Sequence, residues 1–253
     1  MEKVITHGDQ LSSKADNDVR IYFENVDGLN IEPTKPVTQN IKLNYLNLLM
    51  AKMEVDIFGG AESRTNWNLI PHTHKFKKSL NMREGSHCCT GHNIHENFSL
   101  KQQGGTFIAS TPTASQYISD MGTDTTGLGR WSWMRVEGRT IASRIICAYQ
   151  PCITRKRSMS STIAQQRRYW HLHGIRVCPR VKFREDLFNL LKQWRDNGEK
   201  LILLMDANEN LASGPIEQML RHPDLNMEDV ICKRSNTNGP ATFIRGQRQI
   251  DGV

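Results

Sequence analysis

The sequence has no long hydrophobic run, and this absence excludes membrane-spanning proteins. The 253 residues are 38% hydrophobic and 7% aromatic, and no apolar stretch approaches the roughly 18 residues that a membrane helix needs. Residues 1–13 are polar and contain no hydrophobic segment of a signal peptide. We therefore expect an intracellular protein, nuclear or cytoplasmic, with no membrane partner.

Repeats and low-complexity tracts are also absent, which argues against solenoids and against disorder. The length suits one α/β domain. We predict a polar N-terminal tail over residues 1–17 and a single domain over residues 18–253.

The six cysteines follow no even spacing, so a disulfide framework is not expected and a reducing compartment fits best. One stretch contains zinc-ligand residue types, namely His87, Cys88, Cys89, His92 and His95. It lacks the paired Cys-x-x-Cys spacing of zinc sites, so we favour a polar surface loop over a structural zinc.

Positive charge is concentrated in one segment of this chain, whose net charge is +7. Residues 153–195 contain eleven Lys and Arg against two acidic residues. Such a block is typical of a polyphosphate partner, because neutralised phosphates release counterions. The predicted nucleic-acid contacts are Arg155, Lys156, Arg157, Arg167 and Arg168. A solvated basic helix face is the alternative.

The first third of the chain predicts a strand, a helix and a second strand. The strands are residues 19–26 and 56–61, and the helix begins near Thr38, with Ile41, Tyr45 and Leu48 on its apolar face. Residues 63–103 are weakly periodic and are predicted to be irregular. Further along, the pattern predicts strands at 106–110, 131–136, 140–149 and 200–206, and a helix carrying Phe183 to Trp194.

Polar side chains follow three of the predicted strands. Asn25 ends the first, Glu62 follows the second, and Asp206 and Asn208 follow the buried run Leu201 to Met205. Ligands of open α/β sheets bind in the crevice outside such strand ends. Carboxylate and amide oxygens suit a hard divalent cation, so we predict a metal site there.

The motifs in order resemble those of the endonuclease/exonuclease/phosphatase superfamily, which includes DNase I, the apurinic endonucleases and the endonuclease domains of non-LTR retrotransposons. The matching residues are Asn25 in Glu-Asn-Val-Asp-Gly-Leu, Glu62 in Gly-Gly-Ala-Glu-Ser, Gly104-Gly105-Thr106, Tyr149 in Ala-Tyr-Gln-Pro, Asp206-Ala-Asn208-Glu, Thr242-Phe243 and Asp251 in Arg-Gln-Ile-Asp. The segments Gly129-Arg-Trp-Ser-Trp and Ala164-Gln-Gln-Arg-Arg-Tyr are similar to the transposon-associated branch.

The resemblance implies an α/β fold, a four-layer αββα sandwich with two packed mixed β-sheets. It implies a hydrolase that uses Mg²⁺ or Mn²⁺, with Glu62 and Asn25 at the metal. Asp206 would orient or deprotonate the attacking water, Asn208 would hold a phosphate oxygen, and Tyr149 would hydrogen-bond the phosphate. Asp251 would orient a catalytic histidine. The substrate expected from the basic block is nucleic acid, with DNA favoured over RNA.

The family pattern continues beyond Asp251 to an Asp-His motif on a later strand, whereas this sequence ends at Val253. We therefore expect the last strand to be missing and the activity of this form to be impaired. Two alternatives remain open on the sequence. One is a phosphatase of the same fold that acts on an inositol or lipid phosphate, and the other is a non-catalytic nucleic-acid-binding remnant.

Overall fold

Two mixed β-sheets lie face to face in the computed structural model, which describes residues 12–80, 82–96, 99–153, 158–235 and 250–252. The first sheet has the order β1-β2-β4-β3, with β1 Ile21–Asn25, β2 Ile57–Ala61, β3 His87–Gly91 and β4 Thr106–Ser110. The second has the order β5-β6-β7-β8-β9, with β5 Ile118–Thr123, β6 Trp131–Val136, β7 Ser143–Tyr149, β8 Lys200–Asp206 and β9 Asp251–Gly252.

The helices of this part of the chain flank the two sheets. They are α1 Ile41–Lys52, α2 Phe76–Ser79, α3 Pro112–Ser115, α4 Thr162–Leu172, α5 Pro179–Asp196, α6 Pro215–Leu220 and α7 Val230–Ser235. Asn40 caps α1, because its side-chain oxygen accepts a hydrogen bond from the backbone NH of Leu43. No helix among the described residues is long and apolar enough to cross a bilayer.

Three hydrophobic cores separate the layers, because neighbouring strand residues point to opposite faces of a sheet. In β2, Ile57 enters the core between the sheets, while Phe58 enters the core beneath α1. In β7, Ile145 lies between the sheets, and Ile146 packs in the core of α5. The order of layers is therefore helix, sheet, sheet, helix.

Helix α5 confirms its predicted amphipathic face. Phe183 and Leu187 are fully buried, with Leu191 and Trp194 on the same core. The predicted apolar face of α1 is wrong. Leu43 and Leu46 are its buried residues, and the expected stripe of Ile41, Tyr45 and Leu48 is exposed.

Residues 63–103 contain more regular structure than their sequence predicts. They include strand β3, helix α2 and a short 3-10 helix at His72–His74. Strand β5 was also not predicted. Both β3 and β5 are edge strands of their sheets, and edge strands face solvent more than central ones, so their hydrophobic alternation is weak.

Parallel pairing aligns the strand ends that the sequence singled out. Strands β1 and β2 are parallel, with Asn25 opposite Ala61, the residue before Glu62. Strands β7 and β8 are also parallel, with Tyr149 opposite Asp206. The carboxyl ends of both pairs meet at one edge of the sandwich, since Asn25 and Asp206 are hydrogen-bonded there.

Candidate active site

The strand ends bring Asn25, Glu62, Tyr149, Asp206 and Asn208 together. The Asn25 Nδ2 donates to Asp206 Oδ2 over 2.7 Å, which joins the first sheet to the second. The other Asp206 oxygen, Oδ1, accepts the backbone NH of Asn208 over 3.1 Å. Asp206 is fully buried and therefore held in a fixed position by these bonds.

Asn208 lies on a sharp turn directly after β8. Its φ of 49° is in the left-handed region, which Asn tolerates better than most residues. Its side-chain Nδ2 donates to the carbonyl of Gln150 over 2.9 Å, which ties the turn to the segment after β7. The second amide hydrogen of Nδ2 has no acceptor among the described residues.

Tyr149 lies between the two carboxylates of the site. Its phenol lies beside the Glu62 carboxylate and the hydroxyl of Thr162, the first residue of α4. Burial raises the pKa of the Tyr149 phenol well above its usual value, and the negative charges of Glu62 and Asp206 raise it further. The phenol is therefore protonated at neutral pH and can act as a hydrogen-bond donor.

An arginine neutralises the carboxylates on the β1–β2 side of the site. The Arg64 guanidinium donates to Glu62 Oε2 over 2.6 Å and 3.1 Å, and its Nη2 lies 2.5 Å from Asp27 Oδ1. Asp27, Glu62 and Arg64 all have positive φ values between 45° and 54°. Such backbone strain tends to occur at functional sites, where the surrounding structure maintains it.

The donor set fits a hard divalent cation. Glu62 and Asp206 offer carboxylate oxygens and Asn25 offers an amide oxygen, and Mg²⁺ is commonly bound through one or two carboxylates with water and phosphate completing its shell. The described ranges contain no group of three His, Cys, Asp and Glu side chains placed for a metal. Glu62 and Asn25 are the residues that would hold the cation, and water and phosphate would complete its shell beside Asp206.

Buried side chains support the two loops that follow β7 and β8. The Arg180 Nη1 donates to the carbonyls of Pro151, over 2.9 Å, and Asn208, over 3.2 Å, and its Nη2 pairs with Glu209. The Gln150 Nε2 donates to Ala207 O over 2.5 Å and to Glu209 Oε2 over 2.9 Å. Arg180 therefore binds the loops after β7 and β8 to each other.

The predicted basic surface is only partly free of acidic partners. Arg167 is exposed, but Arg168 pairs with Glu96 through contacts of 2.6 Å and 2.8 Å. Arg155, Lys156 and Arg157 lie outside the described residues. Several other cations of the segment pair with acids as well, including Arg180 with Glu209, Lys182 with Asp186, and Lys192 with Asp196 and Asp224.

Asp251 lies opposite Asp206 in the antiparallel β8–β9 pair, which puts its backbone at the same edge of the sandwich. Its side chain is outside the described part of the structure, as are Thr242 and Phe243.

The zinc-type residues form part of a strand, so the prediction of a polar loop at His87 to Cys89 is wrong. Burial raises the pKa of the Cys88 thiol and raises that of Cys89 to about 11, which disfavours the thiolate that binds metals. Burial also lowers the pKa of His92 to about 4, with a smaller contribution from Lys75.

Some residues of the site were not identified from the sequence. Thr162 and Gln150 carry no chemical signal of their own, and Arg180 was counted with the basic block. Arg64 could have been found, because it follows Glu62 by two residues on the same turn and is the nearest cation in the sequence.

Comparison with known proteins supports the fold. No protein-family model matches the sequence, and no curated protein sequence matches it. Among solved structures, the catalytic domain of human Nocturnin is similar with a TM-score of 0.58 and 12% identity, covering 92% of this chain and 80% of that one. The 3′ phosphatase NExo from Neisseria has a TM-score of 0.57 and 17% identity, covering 93% and 85%.

An AP endonuclease from Archaeoglobus fulgidus is similar as well, with a TM-score of 0.54 and 14% identity over 93% of this chain and 85% of that one. At these identities the likeness shows the fold. The chain has the DNase I-like fold, which confirms the predicted sandwich of two mixed sheets between helices.

Proposed function

We propose that this chain is a divalent-metal-dependent phosphodiester hydrolase of nuclease type that acts on nucleic acid, with DNA preferred over RNA. The observation that carries the proposal is the bond from Asn25 to Asp206, which joins two sheets at the edge where the Tyr149 phenol lies beside the Glu62 carboxylate. Four polar groups so placed, two of them carboxylates, fit attack on a phosphate better than a structural role.

Glu62 and Asn25 would hold Mg²⁺ or Mn²⁺ through their side-chain oxygens. When bound, the cation supplies positive charge that offsets the negative charge of the phosphate in the transition state. Asp206 is the second carboxylate, held by Asn25 on one oxygen and by the Asn208 backbone on the other.

In the proposed reaction, Asp206 orients a water molecule and accepts its proton as the water oxygen attacks phosphorus. The bond from phosphorus to the leaving oxygen breaks at the same time. Asn208 donates its free amide hydrogen to a non-bridging oxygen, and the protonated Tyr149 phenol donates to the phosphate. Asp251 remains a proposed member of the site, supported by its pairing opposite Asp206.

Two further observations support nucleic acid as the substrate. The motifs are similar to those of retroelement endonuclease domains, and we propose that relationship for this chain. Two proteins of similar fold are described as an AP endonuclease and as a 3′ phosphatase bound to a product DNA hairpin. The exposed Arg167, with Arg155, Lys156 and Arg157, would contact the phosphate backbone, and the partly paired Arg168 would add to them.

The test is nicking of supercoiled plasmid DNA by the purified chain in Mg²⁺ or Mn²⁺, compared with EDTA. We expect slow nicking, in keeping with the impaired activity expected from the sequence, that requires the metal and is lost in Glu62→Gln. Glu137→Gln is the matched control, because Glu137 is an exposed carboxylate directly after β6. Strand β6 is antiparallel to β7, so this end of β6 is the one remote from Tyr149. Nicking that persists in EDTA or in Glu62→Gln would contradict the proposal.

The same preparation distinguishes the two alternatives. Metal-dependent phosphate release from an inositol phosphate without nicking would indicate a phosphatase of this fold. Binding of DNA that is unchanged by Glu62→Gln, with no hydrolysis of either substrate, would indicate a non-catalytic domain.

A further inference from the structure

Helix α4 begins at the candidate site and extends away from it. The Thr162 side chain lies beside Tyr149, because a Cβ on Gly104 would lie 2.9 Å from Thr162 Oγ1 and 3.4 Å from Tyr149 Cε1. The first turn of α4 therefore forms part of the wall of the site. Residues seven apart on a helix share a face, so Tyr169 lies on the Thr162 face, about 10 Å along the axis at 1.5 Å per residue.

Three aromatic rings form a column on that face. The ring centroids of His95 and Tyr169 are 4.5 Å apart, and those of Tyr169 and His173 are 4.2 Å apart. The ring planes are tilted by 39° and 38°, respectively, and at these centroid distances neighbouring rings are in contact. Tyr169 is the half-buried centre of the column, and the two imidazoles are exposed.

The column is held rigidly from both sides. On the loop side, the His95 ring bonds the carbonyl of Thr126 over 2.7 Å. On the helix side, the His173 ring bonds the carbonyl of Tyr169 over 2.8 Å. A rigid aromatic surface loses little conformational entropy when a ligand binds, so this arrangement is suited to recognition.

Two more contacts bind the loop to α4. Asn93 Nδ2 donates to Gln165 Oε1 over 3.1 Å, and Arg168 pairs with Glu96 on both carboxylate oxygens. The relative positions of His95 and Tyr169 are therefore fixed by the fold rather than by the rings alone.

Unpaired cations lie elsewhere on α4 and directly after it. Arg167 is exposed on α4 and Arg176 is exposed just after it, and neither forms an ion pair within the described residues. Proteins that bind single-stranded nucleic acid combine such cations with aromatic rings on which bases stack.

We propose that the column of His95, Tyr169 and His173 is a stacking site for unpaired bases of the strand that continues from the scissile phosphate. The proposal rests on the proposed function, because it takes the Tyr149 edge as the point of cleavage. The exposed imidazoles would extend the column by one base at either end.

The test measures binding alone, by fluorescence anisotropy in EDTA. The probes are a blunt DNA hairpin and the same hairpin with a six-nucleotide single-stranded tail. The variants are His95→Ala, His173→Ala and the two together. The control is His171→Ala, because His171 is an exposed histidine of the same helix, two residues from Tyr169 and therefore on another face.

The double variant is expected to bind the tailed hairpin at least about 5-fold more weakly, while its affinity for the blunt hairpin stays within about twofold, since stacking discriminates unpaired bases. His171→Ala should bind both probes like the parent protein. Equal affinities of the double variant and His171→Ala for the tailed probe would overturn the proposal. So would an equal loss on both probes, which would indicate a general loss of charge or fold.

The two proposals fail in different ways. Because the anisotropy is recorded without metal, a protein that cleaves nothing can still show tail-dependent binding that requires His95 and His173. A protein that nicks plasmid through Glu62 can equally show no preference for the tail.

Discussion

The Asn25 carboxamide donates to the Asp206 carboxylate over 2.7 Å, although the two residues are 181 positions apart in the chain. Asn25 ends β1 in one sheet and Asp206 ends β8 in the other. The bond therefore fixes how the two sheets meet at their carboxyl ends. It also holds a buried carboxylate in place, at the point where the proposed reaction needs a proton acceptor.

Replacing Asn25 is expected to affect stability and metal response together. Asn25→Asp would put a second carboxylate beside Asp206, and two carboxylates this close cannot both ionise without mutual repulsion. Without metal, Asn25→Asp should be less stable to urea than the parent protein. Adding Mg²⁺ should raise the stability of Asn25→Asp by more than it raises that of the parent. Asn68→Asp, an exposed control, should show neither change. Equal responses of the two variants to Mg²⁺ would contradict the site.

Removal of Arg64 is expected to strengthen metal binding. Its guanidinium lies on Glu62 and Asp27, so it opposes a cation at the same carboxylates. Arg64→Gln should bind Mn²⁺ on the order of 3- to 10-fold more tightly, because one like charge is removed and solvent screens most of its repulsion at this partly exposed side chain. Electron paramagnetic resonance of free Mn²⁺ measures this directly. Arg139→Gln, at an exposed turn, should bind Mn²⁺ like the parent; weaker binding by Arg64→Gln would refute the prediction.

Replacing Arg180 should lower the rate of hydrolysis more than it lowers the affinity for substrate. Arg180→Lys keeps the charge beside Glu209 but cannot donate to Pro151, Asn208 and Glu209 with the same fixed fork. We expect kcat to fall about 10- to 100-fold with KM nearly unchanged, because Arg180 orients the loop that carries Asn208 and does not itself contact the substrate. Arg180→Met should also destabilise the fold by about 1 to 3 kcal/mol, because the carbonyls of Pro151 and Asn208 lose their buried donor and Glu209 loses its nearest cation.

The control for Arg180 is Arg195→Met, because Arg195 is an exposed arginine on the same helix. It should change stability by less than about 0.5 kcal/mol and leave kcat unchanged. A proportional fall in kcat for Arg195→Met would show that the effect comes from α5 as a whole.

His92 should make the fold sensitive to acid. Burial lowers its pKa from 6.5 to about 4, so the folded state binds its proton less readily than the unfolded state does. The neutral His92 ring makes its full contribution to the free energy of unfolding above pH 6.5. This contribution is lost as the pH falls towards 4, by up to about 1.4 kcal/mol per pH unit. In urea unfolding series, His92→Gln should show a smaller loss over this range than the parent, whereas the exposed His72→Gln should match the parent.

Most of the sandwich could be predicted because its central strands are strongly apolar and end in polar residues. Asn25, Glu62, Tyr149 and Asp206 follow directly from that rule and from their motifs. The predicted apolar stripe of α1 was wrong because that helix has apolar side chains on two faces. Leu43 and Leu46 are buried, while Ile41 and Leu48 are exposed, and only tertiary packing decides between the two faces.

The supporting layer of the site could not be predicted for a different reason. Arg180 lies in the first turn of an amphipathic helix, a position that usually faces solvent, and its acceptors are backbone carbonyls, which the sequence does not distinguish. The stacking column has the same origin, because His95 and Tyr169 belong to separate segments that only the fold brings together.

The most direct test of the account is a double-mutant cycle on Glu62 and Asp206, measured as single-turnover cleavage of DNA in Mg²⁺, with thermal unfolding to show that each variant is folded. The account predicts that Glu62→Gln and Asp206→Asn each slow cleavage by about 10² to 10⁴, and that the double variant is little slower than the slower single variant, because both side chains act in one step. Single variants that cleave at the parent rate, or losses that simply multiply in the double variant, would contradict a shared site.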